Sequence, residues 1–269
     1  MKILILSGTH PRHLFVHQQV LAGATACAAI VMQRESTMPE PPGGLPARDR
    51  ENFVLHFRER NDCETRGFGE LRPETVFADC ATHFCSPATL NSPATAQFAK
   101  AFGADIAFIF GTDLVKDPLL SALPADRINL HLGLSPWYRG SATLFWPFYF
   151  LQPQLAGVTF HQIVPAADAG AILHQSVPEL RLGDGIHDVA VRAVTKAGGE
   201  LRNLLAARRR DGGWRYHGQK TPGRLFRASD FEPAHLRVIY DLFEGRMVDE
   251  YLEGRLGRRA PELVTCRFE

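Results

Sequence analysis

The stretch that decides the fold is INLHLGLSPWYRG at 128–140, followed after a hydrophobic segment by GVTFHQIVPAADAGAILHQ at 157–175. Residues 128–132 alternate as a short strand, so Asn129 and His131 point to the same face. The Gly-Leu-Ser-Pro run ends that strand. A second predicted strand, 157–163, leads into the loop that carries Asp168. Polar residues at the carboxyl end of a strand are typical of the catalytic crevice of α/β proteins.

Apolar runs alternate with amphipathic segments on the N-terminal side of this stretch, which is the βαβ pattern of a parallel sheet. The predicted fold class is therefore α/β, a Rossmann-like, mostly parallel twisted sheet with helices on both faces. Residues 1–210 are expected to form the catalytic domain and residues 211–269 a small C-terminal extension. The sequence predicts strands at 2–7, 26–33, 76–84 and 106–110, helices at 13–21, 49–60, 92–102, 186–210 and 233–242, and a hairpin or irregular structure near 216–225.

Charge and composition argue against several classes of protein. The chain has 30 basic and 29 acidic residues, so no strong field favours nucleic acid or an anionic membrane. Its apolar runs are far shorter than the roughly 18 residues of a spanning helix, and residues 1–7 are interpreted as a strand rather than a signal peptide. Five cysteines without a CxxC spacing predict a reduced, cytoplasmic protein. His13 and His17 lack a third ligand nearby, so no metal is expected.

The motifs resemble those of the formyltransferase family that uses 10-formyltetrahydrofolate. That family has an Asn-x-His strand, a Leu-Pro turn with an aromatic-basic-Gly sequence, a Gly-x-Thr-x-His strand and an Asp-x-Gly loop. As a set these motifs are specific, although each alone would be weak. The matching residues here are Asn129, His131, Leu134, Pro136, Tyr138, Arg139, Gly140, Gly157, Thr159, His161, Asp168 and Gly170.

The resemblance implies an N-formyltransferase in which Asn129, His131 and Asp168 are catalytic. An amine nitrogen would attack the formyl carbon, and the Asn129 amide would donate a hydrogen bond to the developing oxyanion. His131 suits the accompanying proton movement because histidine titrates near neutrality. Asp168 would orient and stabilise the imidazolium. Thr159 and His161 are expected to border the same pocket.

The same resemblance assigns residues to the two substrates. The folate co-substrate is expected to bind along two strand ends and the loop before Asp168, with no metal. We expect that slot to involve Cys85, Leu90, Phe110, Gly111, Thr112, Ala166 and Ala167. The acceptor is expected to contact His10, Arg12, Ser135, Tyr138 and Arg139, although Arg139 could instead hold its own loop in place.

The acceptor is expected to be a small, phosphate-bearing primary amine, with a nucleotide-linked amino sugar as the preferred candidate. The first loop, with Gly8 as its one glycine, lacks the glycine-rich cradle of the glycinamide ribonucleotide enzymes, and residues 211–269 are too few for the tRNA-binding domain of the initiator-tRNA enzymes. Arg12 and Arg139 would bind the phosphate. An amino acid-derived or siderophore amine, a formyltetrahydrofolate hydrolase and a non-catalytic folate-binding scaffold remain alternatives, and a homodimer stays open.

Overall fold

The computed structural model describes residues 1–257 and 259–268 and contains a seven-stranded, mostly parallel sheet in the order β3-β2-β1-β4-β5-β7-β8. Strands β1 to β5 run parallel, and β7 and β8 complete the sheet in antiparallel orientation. Two-residue strands β6 and β9 pair separately. The strands are β1 (Lys2–Gly8), β2 (Ala26–Met32), β3 (Ala81–Cys85), β4 (Ile106–Phe110), β5 (Arg127–His131), β6 (Arg139–Gly140), β7 (Val158–Gln162), β8 (Ile172–Ser176) and β9 (Leu225–Phe226).

Helices cover both faces of the sheet, so the α/β prediction is confirmed. They are α1 (Pro11–Leu21), α2 (Ala47–Phe68), α3 (Pro73–Val76), α4 (Pro93–Phe102), α5 (Leu119–Ala122), α6 (Trp146–Tyr149), α7 (Ile186–Asp211) and α8 (Met247–Leu252). In β1, Ile3 and Ile5 join the cluster under α1 and α7, whereas Leu4 and Leu6 join the cluster under α4 and α5. A strand buried on both faces needs this uninterrupted apolar run.

Several predicted boundaries were wrong. Helix α2 continues eight residues past the predicted end at Arg60. The sequence after Arg60 is mostly charged, but Phe68 at the end of the helix is buried in the core and stabilises these last turns. Strand β3 begins at Ala81, since the residues up to Val76 form the short α3 instead. The predicted helix at 233–242 is a 3₁₀ turn, Pro233–His235, followed by a π turn, Val238–Leu242.

Residues after α7 form an apolar cluster with the rest of the chain. Phe226 stacks on Trp146 of α6 with ring centroids 4.7 Å apart, and Ile239 and Val248 join the same cluster as Phe53 of α2. Of the hairpin or irregular structure predicted near 216–225, the hairpin does not form and the segment is largely irregular. His217 makes an isolated antiparallel bridge to Ile172, and β9 pairs in parallel with β6. The segment thus shares one apolar cluster with earlier parts of the chain.

Cys27 and Cys80 form a disulfide, so the expectation of a fully reduced chain is wrong for this pair. The parallel register of β2 and β3 pairs Ala28 with Ala81, which places the two preceding cysteines side by side with their Cα atoms 5.1 Å apart. Sequence spacing alone contains no information about that strand pairing. The cytoplasmic placement stays a prediction.

No helix in residues 1–257 and 259–268 combines the length and apolar content that crossing a membrane requires.

A buried histidine of α1 should make the fold sensitive to acid. His17 is fully buried and packs edge-on against Phe108, and this burial lowers its pKa to about 3 from 6.5. Since the unfolded chain binds the proton more tightly, the stability from this group is complete above pH 6.5 and is lost as the pH falls toward 3. Between pH 7 and 5 the loss is about 2 kcal/mol.

We expect His17→Leu to flatten the pH dependence of the free energy of unfolding, because leucine brings no proton to the unfolded state. Urea unfolding at pH 7 and pH 5 would measure it. The exposed His217 offers the control, since His217→Leu should keep the wild-type difference between the two pH values. A His17→Leu variant that loses as much stability on acidification as wild type would contradict this account.

Candidate active site

Neighbouring strands bring Asn129 and two histidines together. The antiparallel register of β5 and β7 pairs Asn129 with His161 and His131 with Thr159. Nδ2 of Asn129 lies 3.1 Å from Nε2 of His161. The other ring nitrogen of His161, Nδ1, lies 2.9 Å from the Gln162 carbonyl and donates to it. Nε2 of His161 also lies 3.2 Å from Oδ1 of Asp168, so it accepts from the Asn129 amide when the ring is neutral and donates to Asp168 when the ring is protonated.

Asp168 bridges the two histidines from the loop after β7. Its Oδ2 lies 3.3 Å from Nδ1 of His131, and its Oδ1 lies 3.2 Å from Nε2 of His161. The backbone N–H of Gly140 donates to Oδ2 at 2.8 Å. Asp168 has a φ of 47°, a left-handed conformation that aspartate tolerates better than most residues. The loop geometry thus directs the carboxylate at both rings.

The surroundings of His131 leave it ready to accept a proton. Nε2 of the buried ring donates to the Tyr138 carbonyl at 2.8 Å, while Nδ1 faces Asp168. Burial lowers the pKa of His131, and the Asp168 carboxylate opposes that shift. Burial would raise the pKa of Asp168, but His131, His161 and the Gly140 N–H together hold it well below its usual range. A proton gained at Nδ1 of His131 would be stabilised directly by the carboxylate.

The four side chains Asn129, His131, His161 and Asp168 line a cavity of about 920 Å³ at the carboxyl ends of the strands. One wall continues along the residues after β4 and the loop before Asp168, and it includes the predicted folate residues Phe110, Gly111, Thr112, Ala166 and Ala167. A second part of the lining, the α2–α7 wall, carries His56, Arg60, Glu64 and His187, together with His10 and with Arg12 of α1. The structure therefore brings the polar cluster and most of the predicted folate residues together in one cavity.

Two predicted folate residues lie away from this cavity. Cys85 ends β3, the edge strand of the sheet, and Leu90 is fully buried beneath α4. Sequence order places β3 next to β4, but in the sheet β2 and β1 lie between them. Gly111 does line the cavity, and its lack of a side chain also makes room for α1, because a Cβ there would lie 2.3 Å from the His13 ring.

Three predicted acceptor contacts are instead structural. The backbone N–H of fully buried Ser135 donates to Thr159 Oγ1 at 3.0 Å. Tyr138 is buried and donates its hydroxyl proton to Gln152 Oε1 at 2.8 Å. The Arg139 guanidinium donates to the carbonyls of Ala167 and Pro222. Of the two roles open to Arg139, the structure supports the holding of a loop, because its donors are occupied by carbonyls.

Thr159 stabilises the turn that follows β5. Its hydroxyl donates to the Gly133 carbonyl at 2.7 Å and accepts from the Ser135 N–H. Gln175 donates through Nε2 to the Ser135 carbonyl at 2.6 Å. These bonds fix the turn from which the chain passes to Tyr138, whose carbonyl accepts from His131.

Helix α2 contributes cavity residues that the sequence analysis missed. His56, Arg60 and Glu64 are spaced four residues apart and therefore share one helix face. Glu64 forms an ion pair with Arg12 at 2.5 Å, and Arg12 also donates to His10 Nδ1 at 3.1 Å. The four-residue spacing along α2 could have indicated a shared helix face in the sequence. A charged helix face is more often exposed to solvent, so the spacing alone did not indicate a site.

We expect Arg139→Ala to lower kcat more than it raises the Michaelis constant of the acceptor. Loss of the guanidinium releases the Ala167 carbonyl beside Asp168, so the carboxylate is no longer aimed at His131. Steady-state kinetics at varied acceptor concentration would separate the two parameters. The control is Arg192→Ala, which removes an arginine paired with Asp184 outside the cavity lining. An Arg139 variant with unchanged kcat and a raised Michaelis constant would return Arg139 to acceptor binding.

A doubly covered sheet with a polar cluster at its strand ends defines an α/β enzyme, and the cluster suits acyl transfer to an amine. A sequence model described as formyl transferase matches residues 1–201. The chain belongs to the formyl transferase family and is a formyltransferase enzyme.

Solved structures support the same fold. A sugar N-formyltransferase from a Shewanella species is 15% identical with a TM-score of 0.58, and the match covers 89% of this chain and 87% of that one. An N-formyltransferase from Helicobacter canadensis, in complex with folinic acid and dTDP-3-aminofucose, is 15% identical with a TM-score of 0.58 over 93% and 82% of the two chains. Glycinamide ribonucleotide transformylase 1 from Symbiobacterium toebii is 20% identical with a TM-score of 0.50 over 76% and 85%.

Proposed function

We propose that this enzyme transfers the formyl group of 10-formyltetrahydrofolate to the primary amine of a nucleotide-linked amino sugar. The observation that carries the proposal is the convergence of Asn129, His131 and Asp168 on one cavity. A hydrogen-bond donor, a proton acceptor and a carboxylate beside the nitrogen that gains the proton are the groups that amine attack on a formyl carbon needs.

In the proposed mechanism the amine nitrogen attacks the formyl carbon, and the carbonyl electrons move onto the formyl oxygen. The Asn129 amide has two N–H groups. One donates to His161, which leaves the other for the oxyanion. His131 takes the proton that the amine loses, and Asp168 stabilises the imidazolium. Collapse of the intermediate breaks the bond to N10 of the folate, which leaves with a proton returned from His131.

The proposed folate slot is the wall formed by Phe110 to Thr112 and by Ala166 and Ala167. The buried hydroxyl oxygen of Thr112 has no hydrogen-bond partner in the described structure, as expected for a group that meets a polar ligand atom. Residues of both segments line the same cavity, and we place the pterin ring of the folate beside them.

A phosphate-bearing acceptor is supported by the arginines of the cavity, although the argument no longer includes Arg139. Arg12, Arg34 and Arg60 all line it. The Helicobacter canadensis structure was solved with a dTDP-linked amino sugar. The proposal carries that acceptor class to this chain.

A panel of amines would test the proposal. The enzyme would be incubated with 10-formyltetrahydrofolate and UDP- or dTDP-linked amino sugars, the corresponding free amino sugars and amino acid amines, and products would be followed by mass for the gain of one formyl group. We expect the nucleotide-linked sugars to be formylated with the highest kcat/KM. Equal efficiency with a phosphate-free amine would overturn the acceptor class, and formate release without any amine product would favour a hydrolase.

A further inference from the structure

Arg60 differs from the other arginines of the cavity in its partners. Arg12 pairs with Glu64, and Arg34 pairs with Glu35 and Asp113. Within residues 1–257 and 259–268, Arg60 has no carboxylate partner. Its Nη2 donates to the Thr37 carbonyl at 2.6 Å, and its guanidinium lies 4.6 Å from the centre of the Phe57 ring. Its Nε is buried and has no hydrogen-bond partner there.

Among the described residues, no carboxylate oxygen thus lies within 4 Å of the Arg60 guanidinium. Burial, and next the neighbouring Arg12, lower the pKa of Arg60 to about 10, although Glu64 and Glu35 oppose the shift. The side chain is still a cation at neutral pH. A partly buried guanidinium with a free donor is costly unless an anion joins it.

The groups around Arg60 add a neutral polar partner. The rings of His56 and His187 lie 4.5 Å apart beside it. Burial lowers the pKa of both, to about 3 for His187, and the Arg60 charge adds to the shift. Nε2 of His187 is buried at the cavity wall without a partner in the described structure. This end of the cavity therefore contains one cation, the Arg60 guanidinium, and one uncharged ring nitrogen, Nε2 of His187, that could contact a ligand.

We propose that Arg60 is the residue that recognises the phosphate of the acceptor and so sets the specificity for it. The inference rests on the proposed function and names a residue for its substrate class. The planar guanidinium can donate to two oxygens of one phosphate, and its unused Nε edge is available for this bond. The phosphate would lie at the α2–α7 wall, with the amine near His131 of the same cavity.

A purely structural role for Arg60 is the rival. Through Thr37 it holds the loop before α2 on the helix, and Asn61 holds the same residue because the Thr37 hydroxyl donates to Asn61 Oδ1 at 3.1 Å. Asn61→Ala therefore loosens the same loop without removing a charge and is the matched control. Arg60→Lys keeps the charge but removes the Nε donor.

Binding of inorganic pyrophosphate, measured by calorimetry at low salt, tests the proposal without turnover. We expect wild type and Asn61→Ala to bind pyrophosphate equally, and Arg60→Gln to bind roughly 10- to 100-fold more weakly, as loss of a charged hydrogen bond does. Arg60→Lys should lie between them. With an active acceptor, Arg60→Gln should raise the acceptor Michaelis constant and leave kcat and the folate Michaelis constant nearly unchanged. Thermal unfolding would establish that each variant is folded.

Three results would overturn the role of Arg60. They are undetectable pyrophosphate binding by wild type, equal binding by wild type and Arg60→Gln, and an equal loss in Asn61→Ala. If wild type binds malonate more tightly than pyrophosphate, Arg60 recognises a carboxylate of the acceptor and the assignment of a phosphate is wrong. The proposed function fails separately. If no nucleotide-linked amine is formylated while Arg60→Gln loses pyrophosphate binding, the acceptor class is wrong and the anion site stands.

Discussion

Replacement of Asp168 by Asn should lower kcat of formyl transfer by about 10²- to 10⁴-fold, the range in which positioned acid–base groups contribute. The carboxylate lies 3.3 Å from Nδ1 of His131 and 3.2 Å from Nε2 of His161. A neutral amide cannot stabilise the imidazolium that forms when His131 takes the amine proton. Asparagine is the appropriate replacement because it tolerates the left-handed backbone at this position, where φ is 47°.

The control for this variant is Asp184→Asn, which neutralises another buried carboxylate. Asp184 forms an ion pair with Arg192 and does not line the cavity. That variant should lose stability but keep its kcat per folded molecule. Stopped assays with saturating donor and acceptor, together with unfolding curves, would measure both quantities. An Asp168→Asn enzyme within a fewfold of wild type would remove Asp168 from the mechanism.

His131 and Asp168 should also act as a unit. Since the carboxylate acts on the reaction through the imidazole, the double variant His131→Ala/Asp168→Asn should be little slower than the worse of the two single variants. If its loss equals the product of the single losses, the two residues work independently and the shared role is wrong.

Asn129→Ala should reduce kcat by about 10²- to 10³-fold, as the loss of one oxyanion donor does. His161 fixes the amide from behind at 3.1 Å, so the donor is oriented before the oxyanion forms. Calorimetric folate affinity should change little, because the amide acts mainly on the charge that develops during the reaction.

Asn52→Ala is the matched control for Asn129→Ala. The side-chain amide of Asn52 is also hydrogen-bonded, since it donates to Asp241 at 3.0 Å, but neither residue lines the cavity. Its variant should retain wild-type kcat. Near-normal turnover in Asn129→Ala, or a parallel loss in Asn52→Ala, would mean that the amide is not an oxyanion donor.

Local patterns were sufficient where the required information lies within one strand. Alternation along 128–132 places Asn129 and His131 on one face, and the structure has them so in β5. The apolar run Ile106–Phe110 likewise predicted a central strand, which forms β4 at the middle of the sheet. In each case the period of the strand and the burial of its side chains decide the outcome, and both can be read from adjacent residues.

The placement of side chains relative to other elements required the tertiary structure. Cys85 lies at the sheet edge, and Cys27 meets Cys80, because strand order and register are set by which strands pair. Arg139 is occupied by carbonyls that come from residues 28 and 83 positions further along the chain. His161 contacts Asn129 because β7 runs antiparallel to β5, which its own sequence does not reveal.

The sequence by itself therefore determined the α/β class, the central strands and the catalytic set Asn129, His131 and Asp168 as a hypothesis. Only the tertiary structure decided which basic groups are free to meet a ligand. Arg12 pairs with Glu64, and Arg139 lies outside the cavity lining and donates to two carbonyls. Arg60, on a helix 69 positions before Asn129, lines the cavity with no carboxylate within 4 Å and with an unpartnered Nε in the described residues. The physical reason is that strand periodicity is local, whereas the neutralisation of a charge depends on which distant groups the fold brings within about 4 Å of it.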